Sequence, residues 1–491
     1  MIPFIPFFLA AVVIHLAVYL VQCLRSPLRQ IPGPAHASFT SLVLKWHELH
    51  ANRTQYVHEL HKKYGPSVRL SPDEVSFASY EAVKEIYCSN GSGYDKTEFY
   101  DLFRVYGRRT MFTTLNKEDH AKRKRILADR YANSNVMKPA SLSGIEERSQ
   151  KFMKRLQQSA DKRESHDVFM TLHAYACDCA TNHLFNPYGT DCLQKKADED
   201  MMHEVAADDS LKSRLIQHYY PNLYNTMSGV LDLFIKPRSV PLATNYVMDI
   251  SGKRDASTFT LLNRMQEKSA AGMQLDQTDM AGECLDHMAA GIDTTGDGLC
   301  FLMWELSQPS SLQYQRKLQE ELRANPDTSF DKLPYLDAVV QESLRCFPPI
   351  PMSLPRYVPQ GGRTISGYFV PEKTIVSCQA FSVHRINEHV FPEPDRFNPD
   401  RWLAAEGDAE RKRTMFAFAN GGRGCVGKHL AIAEMKTLLK DVYTKYTTLP
   451  DPKMTPAMMA MADQAISSRP LGQTCLLHFV PGDTAVSTAK P

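Results

Sequence analysis

The sequence predicts a mainly α body carrying small β-sheets, preceded by one N-terminal transmembrane helix. Three observations predict it. The run from Phe4 to Leu24 is uncharged and almost wholly apolar. Apolar residues recur at helical spacing through most of the stretch from Glu118 to Met273 and in several later segments. Strand-like alternation is confined to short runs, without the regular exchange of strand and helix that builds a parallel α/β sheet.

The N-terminal run comes first. Residues 4–24 as a helix, at about 1.5 Å per residue, span about 31 Å, against a bilayer core of roughly 30 Å. Arg25 and Arg29 follow at once and no charged side chain precedes the segment, so the positive-inside rule puts the rest of the chain on the cytosolic side. A cleaved signal peptide would need a basic leader, a shorter apolar core and a small-residue cleavage site, all lacking here. Ile31-Pro32-Gly33-Pro34 then stops helix and strand alike and reads as a stiff elbow. With 43% hydrophobic residues among 491, and no linker, repeat or low-complexity stretch, the simplest division is an anchor over residues 1–30 and one body over 31–491.

Within the body, helical spacing runs from about Lys45 to Tyr64 and ends at Gly65-Pro66. Ser67–Leu70 and Val75–Ala78 alternate as strands around a Pro72-Asp73 turn. The helical stretch from Glu118 to Met273 has breaks at Asn186-Pro187 and Pro237. A long helix is predicted from Asp279 to Ser307 before Pro309, another from Tyr335 to Cys346, and a last one from Lys428 to Tyr446. Short strands fill Arg363 to Cys378.

Composition excludes some classes. A net charge of +2 gives no field for nucleic acid, although basic residues cluster at Lys122–Arg125 and Arg411–Arg413. Eleven irregularly spaced cysteines make a poor disulfide framework and fit a reducing compartment. Cys177 and Cys179 have no second pair nearby to complete a zinc site.

The strongest chemical signal lies at Phe418 to Gly427, which reads F-A-N-G-G-R-G-C-V-G. A metal-bound thiolate needs backbone N–H groups on its sulfur, and glycines such as Gly421 and Gly427 let the backbone approach. Cys425 also stands just before a helix, whose N-terminal partial charge favours thiolate. Phe418 can shield the sulfur from water, and Arg423 can pair with an anionic cofactor group. Taken alone, the segment also fits a buried structural cysteine in a Gly-rich turn.

The loop is similar to the cysteine loop of the cytochrome P450 family, whose haem is held by a cysteine thiolate. Further motifs occur in the family's order. Glu342 and Arg345, spaced to share one helical face, resemble its E-x-x-R, and Arg401 in Phe397-Asn-Pro-Asp-Arg401-Trp402 is the matching structural arginine. Ala290-Gly291-Ile-Asp293-Thr294-Thr295 is similar to the oxygen-binding signature. The Thr294 hydroxyl would hold a water or oxygen species at the iron's distal face and Asp293 would relay protons, while Gly291 would let the helix open a groove. An ordinary buried helix with a threonine bonded back to its own carbonyl fits the same residues. His120 and Lys124 stand where the family carries a Trp and an Arg that grip a haem propionate, and Arg356 matches another propionate arginine. Lysine neutralises a propionate without the bidentate bond. His173, His183 and His287 read as packing or surface residues.

The resemblance spans nearly the whole chain and implies a P450-like fold with haem b (iron protoporphyrin IX) between the Asp279–Ser307 helix and the Cys425 loop. It implies monooxygenation of a small, largely apolar organic metabolite. Electrons would come from NADPH through a separate cytochrome P450 reductase, with cytochrome b5 as a further donor, because the chain carries no flavin or nicotinamide domain. The likeness is greatest to eukaryotic microsomal members, hence single-pass in the endoplasmic reticulum membrane, and further to fungal enzymes of secondary metabolism. Lys122–Arg125 would then face the reductase's acidic surface. A haem-thiolate isomerase or dehydratase working without O2, and a non-catalytic haem carrier, are the rivals. Specificity is expected from Phe99–Phe112, Met201–Leu233 and Ile350–Leu354, with Phe103, Met111, Tyr220, Ile350 and Met352 lining an apolar pocket.

Overall fold

The computed structural model describes residues 4–88 and 93–482, the first few as backbone only. Phe4–Arg25 is a helix, apolar on every side, with Phe7, Phe8 and Ile14 fully outward. A helix without a polar face has no stable place in water, and the stretch Phe7–Arg25 is long enough to cross a bilayer. The elbow packs tightly beneath it. A Cβ on Gly33 would stand 2.6 Å from the Arg69 carbonyl oxygen, so only glycine lets the chain turn there.

The body is mostly helical, with one four-stranded and three smaller sheets among the described residues. The four-stranded sheet runs Ser67–Ser71, Glu74–Phe77, Ile375–Cys378, Arg356–Tyr357, its middle pair parallel and the others antiparallel. At the centre, the long helix Gln277–Ser307 packs against Val168–Phe185, a helix buried on nearly all sides. Lys428–Lys445 lies against Pro139–Lys162, Leu312–Ala324 and Pro334–Cys346 and closes the core below.

Two boundaries differ from the sequence reading for identifiable reasons. The long helix begins at Gln277 because Asp276 accepts the Asp279 N–H at 2.8 Å while Asp279 accepts that of Asp276, a capping box. The expected helix through Lys45–Tyr64 is two, Leu42–Leu49 and Arg53–Tyr64, with Ala51 left-handed between them. The second start is capped from a distance, since the buried Asp463 carboxylate accepts the Thr54 N–H at 2.7 Å.

Candidate active site

Cys425 is held by its loop before the helix Lys428–Lys445 begins. Its N–H donates to the Phe418 carbonyl at 2.8 Å, which folds the loop back on itself. Gly421 has φ +70°, and a Cβ there would stand 2.1 Å from the Tyr87 carbonyl oxygen, so the loop rests on that backbone. The thiol faces a cavity of about 740 Å³, which Phe418, Gly424 and Gly427 also line. Enclosure by protein pushes the Cys425 thiol up, against the N–H groups of Gly427 and Lys428 and the charges of Lys124 and Lys428. Gly427 serves by its N–H rather than by lacking a side chain, since a Cβ there would meet the sulfur at an ordinary 3.9 Å.

The Gln277–Ser307 helix contributes Ala290, Gly291, Asp293 and Thr294 to the same cavity. The Thr294 hydroxyl donates to the Ala290 carbonyl at 2.7 Å, which leaves its lone pairs free to accept. Asp293 carries a buried carboxylate oxygen with no partner, and burial together with the Asp297 charge pushes it up to about 7. Gly291 does not open the helix, which is continuous. A Cβ there would meet the Ala180 Cβ at 2.9 Å, so this glycine sets how closely the two central helices approach.

At the edge of the cavity stand Arg356, Arg423 and His120, three residues expected from the sequence, and Lys96, which was not. Arg356 is buried and donates to the Tyr100 hydroxyl at 2.7 Å. Arg423 donates to the Tyr94 carbonyl at 2.9 Å and reaches Asp95 at 3.3 Å, while its Nε is buried without a partner. His120 is held neutral, pushed down to about 3 by burial and the charges of Lys96, Arg423 and Lys124. Lys124 corrects the sequence reading. Its ammonium donates to the Gly422 and Gly424 carbonyls at 3.0 and 2.9 Å and ties the cysteine loop instead of lining the cavity. A lysine lacks the planar fork that would reach past these carbonyls.

Glu342 is wholly buried and accepts five hydrogen bonds from N–H groups. Arg345 gives two hydrogen bonds at 2.8 and 2.9 Å, Arg401 one at 3.0 Å, the Trp402 indole one at 2.9 Å and the Asn398 N–H one at 2.8 Å. Burial alone would raise this carboxyl, but Arg345 and Arg401 hold it below the usual range. The cluster pins the Pro399–Trp402 turn to the Pro334–Cys346 helix.

The family model for Cytochrome P450 matches residues 32–476. The chain belongs to the cytochrome P450 family. Its curated relatives are fungal. They include the cytochrome P450 monooxygenase stcB of Emericella nidulans, 30% identical over 84% of this chain and 80% of that one. The monooxygenase aflV of Aspergillus parasiticus is 28% identical over 92% of each. Benzoate 4-monooxygenase bphA of Aspergillus niger is 28% identical over 85% and 87%. This P450 is therefore a monooxygenase of the haem-thiolate type.

The residues of this P450 fit that cofactor. Lys96, Arg356 and Arg423 put three cations at the cavity edge, and among the described residues they make one ion pair, Arg423 with Asp95. Burial holds the Lys96 ammonium well below its usual range. Uncompensated buried cations are costly, and the two carboxylates of a protoporphyrin would offset the excess.

One more group escaped the sequence reading of this P450, and a second was read only in part. Glu434, on the helix after Cys425, is buried and pushed up to about 8, and it accepts the Thr295 hydroxyl at 3.2 Å. His173, read as packing, does pack: a Cβ on Gly296 would touch its ring at 2.9 Å. Its Nε2 also lies 3.5 Å from Asp297, one helical turn beyond Asp293. Of the five pocket residues expected, Phe103, Met111, Ile350 and Met352 line the cavity. Tyr220 does not; it is exposed beside Lys45. The cluster Lys122–Arg125 is also divided, because Arg123 pairs with buried Glu283 at 2.8 Å, Lys122 pairs with Asp119 at 3.0 Å, Lys124 is tied to the loop and Arg125 is exposed on the surface.

Proposed function

We propose that this P450 inserts one oxygen atom of O2 into a small organic metabolite, using NADPH electrons delivered by a separate reductase. Residues 1–30 anchor it in the endoplasmic reticulum membrane and 31–491 form the cytosolic haem-thiolate domain. The observation that carries the reading is the opposition, across one cavity, of a thiol receiving two backbone N–H groups and a helix presenting Asp293 and Thr294.

Cys425 would ligate the iron. Arg356, Arg423, Lys96 and His120 would hold the propionate edge, and Phe418 would cover the sulfur. Bound there, the haem supplies the oxygen-activating chemistry. The chain supplies position and protons. The N–H groups of Gly427 and Lys428 favour the thiolate that the iron would hold, and Lys124 fixes the loop that carries it. Thr294 accepts a hydrogen bond at the cavity wall, its own proton being committed to Ala290. Asp293, half protonated near neutrality, hands a proton inward without admitting bulk water. An isomerase or dehydratase has no use for such a relay, which disfavours that rival. The relative named for benzoate supports a small aromatic substrate.

The decisive experiment is Cys425→Ala. Loss of both catalysis and the red-shifted absorption of the reduced carbon-monoxide complex is expected. A variant that kept that absorption would show another ligand and end this reading.

A further inference from the structure

The cavity is largely apolar, yet four arginines line it beyond the propionate edge: Arg104, Arg214, Arg238 and Arg469. Two are matched. Arg104 donates to Asp101 at 3.1 Å, and Arg469 reaches both Asp209 and the Ala206 carbonyl. The other two are not. Arg214 Nη1 and Arg238 Nε lie 3.7 and 3.6 Å from the same oxygen of Asp208, both beyond hydrogen-bond distance.

Their remaining contacts leave the charge exposed to the cavity. Arg214 stacks on the Phe103 ring at 4.9 Å and donates once, to the Leu102 carbonyl at 2.9 Å, while its Nε is buried without a partner. Arg238 makes no side-chain hydrogen bond among the described residues. Burial and the neighbouring Arg238 lower Arg214 only to about 10, so its guanidinium stays charged at neutral pH. Asp293 acts on both and near neutrality is only partly ionised, and the buried Asp286, pushed up to about 6, acts on Arg238. Two guanidiniums therefore share one carboxylate at ion-pair distance, that of Asp208, on a cavity wall that Leu211, Val205 and Val240 also form, Arg214 largely buried and Arg238 about a third exposed. A planar guanidinium with free N–H groups in such a place is shaped for a carboxylate.

We propose that Arg214 and Arg238 bind a carboxylate of the substrate, which makes the substrate class of this P450 organic acids with an apolar body. This rests on the reading of the cavity as the substrate chamber. The acid group displaces Asp208 as the arginines' partner and fixes which end of the apolar body points toward Thr294.

The test uses full-length, haem-loaded protein in detergent and a panel of aryl and medium-chain carboxylic acids, each paired with its primary amide. Binding is read by equilibrium dialysis and, separately, by the haem absorption shift. At least one acid should bind on the order of 10–100-fold more tightly than its amide, the range of a charge-assisted hydrogen bond. Arg214→Gln and Arg238→Gln should each remove most of that preference while leaving amide binding unchanged. Asp208→Asn removes the competing carboxylate and should tighten acid binding several-fold, a gain that misfolding cannot imitate. If every acid binds no better than its amide, or none binds, the proposal is overturned. It is overturned equally if the arginine variants keep the preference. Dialysis is blind to the iron ligand, so failure of the thiolate assignment shows in the carbon-monoxide spectrum alone and is separable from failure here.

Discussion

Replacing Arg345 by alanine isolates the most heavily bonded ion pair in the core. It removes two of the five N–H hydrogen bonds to Glu342 and, with them, hydrogen bonds to the Pro394 carbonyl at 2.6 Å and the Arg396 carbonyl at 3.1 Å. The Arg345 and Glu342 side chains have no exposed surface, so water cannot replace what is lost. Breaking such a buried pair costs about 3–5 kcal/mol. Arg401→Ala removes one hydrogen bond to the same carboxylate and leaves Arg345 in place. That should cost less, about 1.5–3 kcal/mol. With an unfolding entropy of about 2.1 cal/mol/K per residue, a chain of 491 residues loses roughly 1 °C of midpoint per kcal/mol, so Arg345→Ala should fall by about 3–5 °C. Circular dichroism of haem-loaded variants at matched haem content measures it. The pH dependence gives a second reading. Glu342 is lower in the fold than in the unfolded chain, so its stabilisation is complete near neutrality. It is lost as pH falls below about 4.3 and through the lowered folded value. The advantage of wild type over Glu342→Gln should therefore close on acidification. If Arg345→Ala costs less than Arg401→Ala, the assignment of Arg345 as the principal partner fails.

Thr294→Ala should still bind haem and substrate, yet yield less product and more hydrogen peroxide per NADPH consumed. The loss is bounded by about 10²–10⁴-fold, and an unchanged ratio would make the hydroxyl a bystander. Removing residues 1–24 should free much of the protein from membranes with haem binding intact. Partial retention is expected through Leu223, Val230, Leu233 and Phe234, which are exposed on and after the helix Pro221–Leu231, and secretion of a shortened full-length product would contradict the anchor. Arg125→Glu should slow reduction by the reductase at low salt without changing substrate affinity. Arg125, exposed, is the better probe than Arg123, whose reversal would set a second carboxylate against Glu283.

What the sequence made legible was whatever rests on local spacing. The 3.6-residue rhythm located the long helix and the helix after Cys425, and fixed motif offsets located Cys425, Glu342 and Asp293. What it hid depends on partners far along the chain. Nothing near Thr54 announces that Asp463 caps its helix. Nothing near Lys124 shows that two loop carbonyls claim its ammonium, and Lys96 gains meaning only where Arg356 and Arg423 meet it. The role of Gly291 was misread for the same reason, because Ala180 lies on another helix.

The parallel pairing of Glu74–Phe77 with Ile375–Cys378 has a consequence for biosynthesis. The two strands are separated by about 300 residues, and at about 5–20 residues per second the first waits roughly 15–60 s on the ribosome for the second. During that interval its hairpin with Ser67–Ser71 shows an unpaired edge. The cysteine loop, which leans on the Tyr87 backbone, emerges later still. Completion of the cofactor site is thus a late event of synthesis, which waits until residue 425 has emerged.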